Sequence, residues 1–186
     1  MKVLIAFTTT EGQTRKIARH AAETITRLGH EAEVYSCDDD SSAPAVATFD
    51  AVILAGSVHQ KRYQAALYDF VAANLAALQS KPTAFISVSL SITFTDGEAE
   101  AQSYYDNFAK ETGWQASAVH LAEGAIRYTE YDFFKILTIK HKVFKGKKEM
   151  PEKTGNPEFT DWVALDDFVS VFLEDARQMA REVASS

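Results

Sequence analysis

The chain has 186 residues, 46% of them apolar and 24% charged, with 8 Gly, 4 Pro and 1 Cys, the size and balance of a single globular domain spanning residues 1–186. Its 19 Lys and Arg against 26 Asp and Glu leave a formal charge of −7, which argues against nucleic-acid binding through a basic surface and points to small molecules or other proteins as partners. Lone Cys37 cannot form an internal disulfide or a Cys-rich zinc site, the 5 histidines show no metal-ligand spacing, and no apolar run approaches the roughly 20 residues of a membrane span, so the expected setting is the cytoplasm, with no metal.

Lys2 to Phe7 is a short apolar run halted by Thr8-Thr9-Thr10-Glu11-Gly12, the pattern of a buried strand ending in a turn. From Gln13 to Leu28, Ile17, Ala18, Ala21, Ile25 and Leu28 recur at helical spacing, and Gly29 supplies a stop. Glu31 to Tyr35 is expected as a second strand, followed by a solvated loop at Asp38-Asp39-Asp40. Ala51 to Ala55 reads as a third buried strand ended by Gly56-Ser57, and Leu67, Phe70, Val71, Leu75 and Leu78 stripe the helix after it. Thr83 to Leu90 is a fourth strand, Glu98 to Thr112 a helix with Ala101, Tyr104, Tyr105 and Phe108 on one side, and Ala118 to Tyr128 contains a fifth strand. Leu165, Phe168, Val169, Phe172, Leu173 and Ala176 mark a C-terminal helix from about Asp161 to Ala184. Apolar strands alternating with amphipathic helices predict an α/β, doubly wound parallel sheet covered on both faces. In such sheets ligands bind beyond the carboxyl ends of the strands, which directs attention to the loops after Phe7, Ala55 and Leu90.

The first of these loops, Thr8 to Thr14, suits a phosphate. The first N–H groups of a helix have no partner within it, the helix dipole adds positive charge, and the hydroxyls of Thr9, Thr10 and Thr14 can donate as well. The segment lacks the Gly-Lys-Ser/Thr ending of a P-loop and has one glycine where a dinucleotide fingerprint has three, so ATP and NAD fit poorly. From composition alone, the same residues could equally serve as a turn and a helix cap.

Thr9-Thr10-Glu11-Gly12-Gln13-Thr14 resembles the hydroxyl-rich phosphate loop of the flavodoxin superfamily. Taken in order with Arg15-Lys16-Ile17-Ala18, Tyr63-Gln64-Ala65-Ala66, Ala84 to Leu90, Gly124-Ala125-Ile126-Arg127-Tyr128 and Thr160-Asp161-Trp162, it is similar to the menaquinone-dependent protoporphyrinogen IX dehydrogenases, flavodoxin-like enzymes of bacterial haem synthesis. That resemblance implies a flavodoxin-like strand order of 2-1-3-4-5, FMN as cofactor, protoporphyrinogen IX as electron donor and menaquinone as acceptor. It places the FMN phosphate on residues Thr9 to Thr14, with the Glu11 carboxylate turned to solvent because it would repel the phosphate. The ring falls between Gly56–Tyr63 and Ser87–Thr95, where Ser57, Ser87, Ser89 and Ser91, with Leu90, allow close backbone approach, and where His59 and Tyr63 are the planar side chains. The flavin carries the redox chemistry, so no catalytic nucleophile or acid/base pair is expected.

Between Tyr128 and Pro157 the chain makes a detour, an insertion of about 129–157 before the last helix, that a minimal five-strand fold does not need. From Tyr131 to Lys148 six lysines, Lys135, Lys140 and Lys142 among them, stand against Asp132 alone, a local charge of +5 that leaves −12 on the rest of the chain. With its aromatic and aliphatic residues, such a basic helical segment could rest on an anionic membrane surface, or it could pack on the sheet with its lysines in water. Arg127 and these lysines could meet porphyrin propionates through charge-assisted hydrogen bonds. The acidic overall charge suits a competing function, a soluble flavodoxin-type electron carrier with no substrate of its own, docking on basic partners. A receiver-type signalling domain of the same topology is disfavoured, since it needs carboxylates where Thr8-Thr9-Thr10 and Gly56-Ser57 stand.

Overall fold

In the computed structural model, which describes residues 1–39, 42–93, 97–124 and 159–184, the apolar runs pair as five parallel strands. They are β1 (Lys2–Thr8), β2 (Glu31–Ser36), β3 (Ala51–Ser57), β4 (Thr83–Ser89) and β5 (Ala118–Glu123), in the order β2-β1-β3-β4-β5. The described helices are α1 (Gln13–Arg27), α2 (Ala65–Gln79), α3 (Gly97–Thr112) and α4 (Trp162–Ala184). This is the strand order expected from the sequence. The segment 129–157, with Lys135, Lys140 and Lys142, and Arg127 before it, lies outside the described residues.

Successive side chains of a strand face opposite sides of the sheet, and the core divides along that parity. Val3, Ile5, Phe7, Ile53, Ala55, Ile86 and Val88 meet α1 and α4, where Ile17, Ala18, Ala21, Ile25, Leu165, Val169 and Phe172 are buried. Leu4, Ala6, Val52, Leu54 and Phe85 meet α2 and α3 on the other side. β2 is an edge strand with Glu31, Glu33 and Val34 exposed, and its charges discourage pairing with another chain. Helix α1 stops at Gly29 as predicted, with the Gly29 N–H donating to the Thr26 carbonyl at 2.9 Å and the His30 N–H to the Ile25 carbonyl at 3.1 Å. Helix α4 is capped by Asp161, whose Oδ1 accepts from the N–H groups of Val163 and Ala164 at 3.0 Å each.

Two strands run farther than their apolar runs suggest. β1 takes in Thr8 and β3 takes in Gly56 and Ser57, because the ladder continues through Thr8↔Gly56 and Ser57↔Val88. A threonine is tolerated at full burial there because its hydroxyl is satisfied, donating to Gln64 Oε1 at 2.7 Å. Gly56 allows the helix side of β3 to close: a Cβ on it would lie 2.7 Å from Leu67 Cδ2 and 2.9 Å from Tyr63 Cδ1.

Phe85, fully buried on β4, is the hub of the α2–α3 side. Its ring centroid lies 5.2 Å from Tyr63, 5.1 Å from Tyr105, 5.3 Å from Phe108 and 6.2 Å from Trp114. Phe85→Ala is therefore expected to lower the unfolding free energy by about 3–5 kcal/mol, measured by urea denaturation.

Candidate functional site

The chain leaves β1 for β2 on one side and then passes back across β1 to β3 on the other, so the strand order reverses at β1 and a crevice opens at its carboxyl end. Its described walls come from the loop after β1 (Thr9, Thr10, Glu11, Gln13), from the end of β3 and beyond (Ser57, Val58, His59), and from the end of β4 (Val88, Ser89, Leu90), with Gly124 after β5. A larger hollow of about 680 Å³ opens at the other end of the sheet, beside Met1, Pro82, Lys81 and Met179. No strand carboxyl end points there, and the Lys81 ammonium is engaged by the carbonyls of Val46 and Phe49, at 2.8 Å each. The crevice is therefore the candidate site.

The loop after β1 is built to leave donors. Gly12 stands at the start of α1 with φ +88, a left-handed conformation that glycine adopts freely, and it has no side chain with which to cap the helix. The first turn of α1 carries no acidic residue to occupy the helix N-terminus. The Gly12 N–H donates to Thr9 Oγ1 at 2.9 Å, and the Thr9 N–H donates to Asp38 Oδ2 at 2.8 Å. Thr14, next to the lining residue Gln13, is fully buried, yet its Oγ1 has no hydrogen-bond partner. An orphaned hydroxyl at a helix start fits a bound anion, which would supply the missing acceptor. Gln13 is buried too, its Nε2 donating to Thr160 Oγ1 at 2.9 Å while Thr160 Oγ1 donates to the Glu123 carbonyl at 2.8 Å. That chain of bonds fastens the start of α1 to the end of β5 and the approach to α4.

Beyond β3 the chain makes a two-residue reversal, with His59 and Arg62 exchanging both backbone bonds at 2.9 and 3.1 Å. Its central residues, Gln60 and Lys61, hold φ +50 and +67, values that favour glycine or asparagine. The reversal puts exposed His59 on the lip of the crevice. Val58, tied to β4 by its N–H donating to the Val88 carbonyl at 2.8 Å, faces the crevice with Val88 and Leu90. One end is thus lined with hydroxyls and amides and the other with aliphatic groups, which suits a ligand with an anionic tail and a flat apolar body.

Of the residues singled out in the sequence, Thr9, Thr10, Glu11, Gln13, Ser57, His59, Ser89 and Leu90 line the crevice. Gly12 and Thr14 shape it from the start of α1 without lining it. Glu11 is half-exposed and stands in the wall. Tyr63 is placed differently from the expectation of a ring-stacking group. It is 5% exposed, with Phe85 and Phe108 edge-on at 5.2 Å each, and its Oη lies 2.7 Å from Ser87 Oγ. Burial pushes the Tyr63 phenol well above its ordinary value, and Tyr63 and Ser87 are core beneath the crevice rather than wall. Ser91 sits beyond the crevice, its N–H donating to Ser89 Oγ at 3.0 Å. Cys37 is half-buried with its thiol pushed up to about 12 by desolvation, so it offers no thiolate.

Sequence reasoning missed Val58 and Val88, whose periodicity marks strand and not site. It also missed Gln64, whose Nε2 donates to Thr10 Oγ1 at 2.7 Å and to Ser57 Oγ at 2.9 Å, joining the loops after β1 and β3. Gln64 stands in one of the segments that carry the family resemblance, but nothing in its type or spacing marks a role.

A family model, the flavodoxin domain, matches residues 4–154 of the chain. The protoporphyrinogen IX dehydrogenase [quinone] of Escherichia coli (strain K12) is 29% identical over 187 residues, an alignment covering 99% of this chain and 95% of that protein. The Leishmania major protein of the same name is 29% identical over 177 residues, covering 92% of this chain and 74% of its own length. Among solved structures, oxidised Flavodoxin 2 from Bacillus cereus shares the fold with a TM-score of 0.58 over 94% of this chain and 99% of its own, at 17% identity.

The orphaned hydroxyl gives a direct check. Thr14→Val, of nearly the same shape, is expected to raise the unfolding free energy of the ligand-free protein by about 1 kcal/mol, because it removes a buried polar atom without a partner. Urea denaturation with and without inorganic phosphate measures both this gain and the expected loss of phosphate-dependent stabilisation.

Proposed function

The chain belongs to the flavodoxin domain family, and from that premise we propose that it is an FMN-dependent oxidoreductase that oxidises protoporphyrinogen IX to protoporphyrin IX and delivers the electrons to a quinone, menaquinone. The observation that carries this reading is the end-to-end likeness to the Escherichia coli enzyme, combined with a crevice of the right chemistry at the β1 loop. When bound, the flavin supplies the electron transfer itself.

The residues of the chain bind, orient and exclude water. The hydroxyls of Thr10, Thr14 and Ser57 and the N–H groups at the start of α1 would hold the FMN phosphate, with the dipole of α1 adding to the attraction. Val58, Val88 and Leu90 would flank the ring, and Ser89 and the backbone near Gly124 give it hydrogen-bonding neighbours at close approach. His59 on the lip is the planar group left for contact with the ring or its donor, since Tyr63 and Ser87 support the floor. No described helix is long and apolar enough to cross a membrane. The lysine-rich run 131–148, with Arg127 before it, fits a surface that meets an anionic bilayer and porphyrinogen propionates, where the quinone is found.

A second reading, a carrier without its own substrate, draws on the half-exposed Glu11 in the crevice wall and on exposed Asp38 bound to Thr9, carboxylates that would meet a basic partner. Anaerobic mixing of FMN-loaded protein with protoporphyrinogen IX separates the two. Bleaching of the flavin by the porphyrinogen, and its return on adding a menaquinone analogue, is the expected result. Bleaching only by a flavoprotein reductase would establish the carrier instead. For the basic run, co-sedimentation with anionic liposomes is expected to fall as salt rises, because charge attraction at a surface is screened over about 10 Å at 0.1 M. Binding unaffected by salt, or absent, would return the run to a packed, soluble role.

A further inference from the structure

We infer that Gln64, which does not line the crevice, is a positioning residue that sets the hydrogen-bond polarity of the crevice hydroxyls so that they donate to a phosphate; the inference rests on the phosphate reading above. Gln64 stands at the N-cap of α2 in extended conformation, but its side chain makes no capping bond. It turns instead toward the carboxyl ends of β1 and β3. Oε1 accepts from Thr8 Oγ1 at 2.7 Å, and Nε2 donates to Thr10 Oγ1 at 2.7 Å and to Ser57 Oγ at 2.9 Å.

A primary amide has one accepting end and one donating end, and a hydroxyl has a single proton. With Thr8 donating to the carbonyl end, both Nε2 protons go to Thr10 and Ser57. Each of those hydroxyls then accepts from Gln64, and its own proton is left to point elsewhere. Among the described residues neither donates to a protein acceptor, and both residues line the crevice. Two O–H donors are thereby left available to a ligand in the crevice. No lysine or arginine lines the crevice among the described residues, while Glu11 does. Oriented hydroxyls supply the attraction for an anion that the missing cations would otherwise give.

The reverse placement of the amide would set its carbonyl against Thr10 and Ser57. Both protons would turn inward, and lone pairs would face the phosphate. Gln64→Glu imposes that reverse polarity with almost no change of shape, Gln64→Met keeps the volume with no polarity, and Thr8→Val removes the donor that selects the amide's orientation at a buried position outside the crevice.

The test compares affinities for FMN and for riboflavin, which has the same ring but no phosphate, by quenching of flavin fluorescence, with thermal unfolding of each variant as the folding control. The wild-type chain is expected to prefer FMN strongly. Gln64→Glu should reduce FMN affinity about 100-fold, Gln64→Met about 10-fold and Thr8→Val about 3-fold, with riboflavin affinity within about 3-fold throughout, since hydrogen bonds to a charged group are the ones lost. A merely structural Gln64 would lower both affinities together in Gln64→Met and Thr8→Val, which, unlike Gln64→Glu, add no charge that itself repels a phosphate. An unchanged FMN-to-riboflavin ratio in Gln64→Glu, or equal losses in Gln64→Glu and Gln64→Met, overturns the inference. Should Gln64→Glu fail to fold, an unchanged ratio in both Gln64→Met and Thr8→Val overturns it. A wild-type chain that binds FMN no better than riboflavin overturns the underlying phosphate reading, an outcome distinct from all of these.

Discussion

A helix that begins without acceptors for its first N–H groups needs a partner from outside, and the start of α1 is the point around which this molecule is arranged. Gly12 makes the turn and offers no capping side chain, the first helical turn holds no carboxylate, and Thr14 carries a buried hydroxyl with nothing to bond. Each is unfavourable for a protein on its own. Together, at the mouth of a crevice, they describe a place where an anion completes the structure. The nearby donors are tied into the loop itself: the Thr9 N–H donates to Asp38 and the Gly12 N–H to Thr9.

Such a site is useful only if its walls do not move, and the two-sided core provides that. The α1–α4 side and the α2–α3 side both press on β1, β3 and β4, which are buried almost throughout. Polar ties then lock the loops that emerge from this base. Gln13 and Thr160 hold α1 to the end of β5, Gln64 joins the loops after β1 and β3, and the Tyr63–Ser87 contact braces the floor. The ligand-facing loops are thus extensions of rigid elements, with their hydroxyl and aliphatic ends held in fixed relation.

The fold was legible in the sequence because β1, β3 and β4 are covered on both faces and therefore appear as unbroken apolar runs, while α1 and α4 show their buried stripes at helical spacing. Strand ends were less legible: Thr8 resembles loop until its hydroxyl is seen to meet Gln64, a contact between residues 56 positions apart. Contacts between residues apart in sequence also hid Gln64 itself and the fate of Tyr63, which as an aromatic residue beside a ligand loop looks like a stacking group. Only packing against Phe85 and Phe108 reveals it as core. The hydroxyls of the β1 loop stood out because a run of threonines at the end of a strand and before a helix resembles a phosphate loop, where composition alone would equally have allowed a turn and a cap.

The reversal at Gln60 and Lys61 shapes what this chain can become. Two ordinary L-residues sit where an Asn-Gly pair would rest without steric penalty, so the lip is maintained against a local preference of the backbone to open. A lineage drifting toward heat tolerance would find relief there at once, in small residues that replace the two exposed side chains next to His59. Robustness and the chemical character of the entrance therefore pull this corner of the molecule in opposite directions.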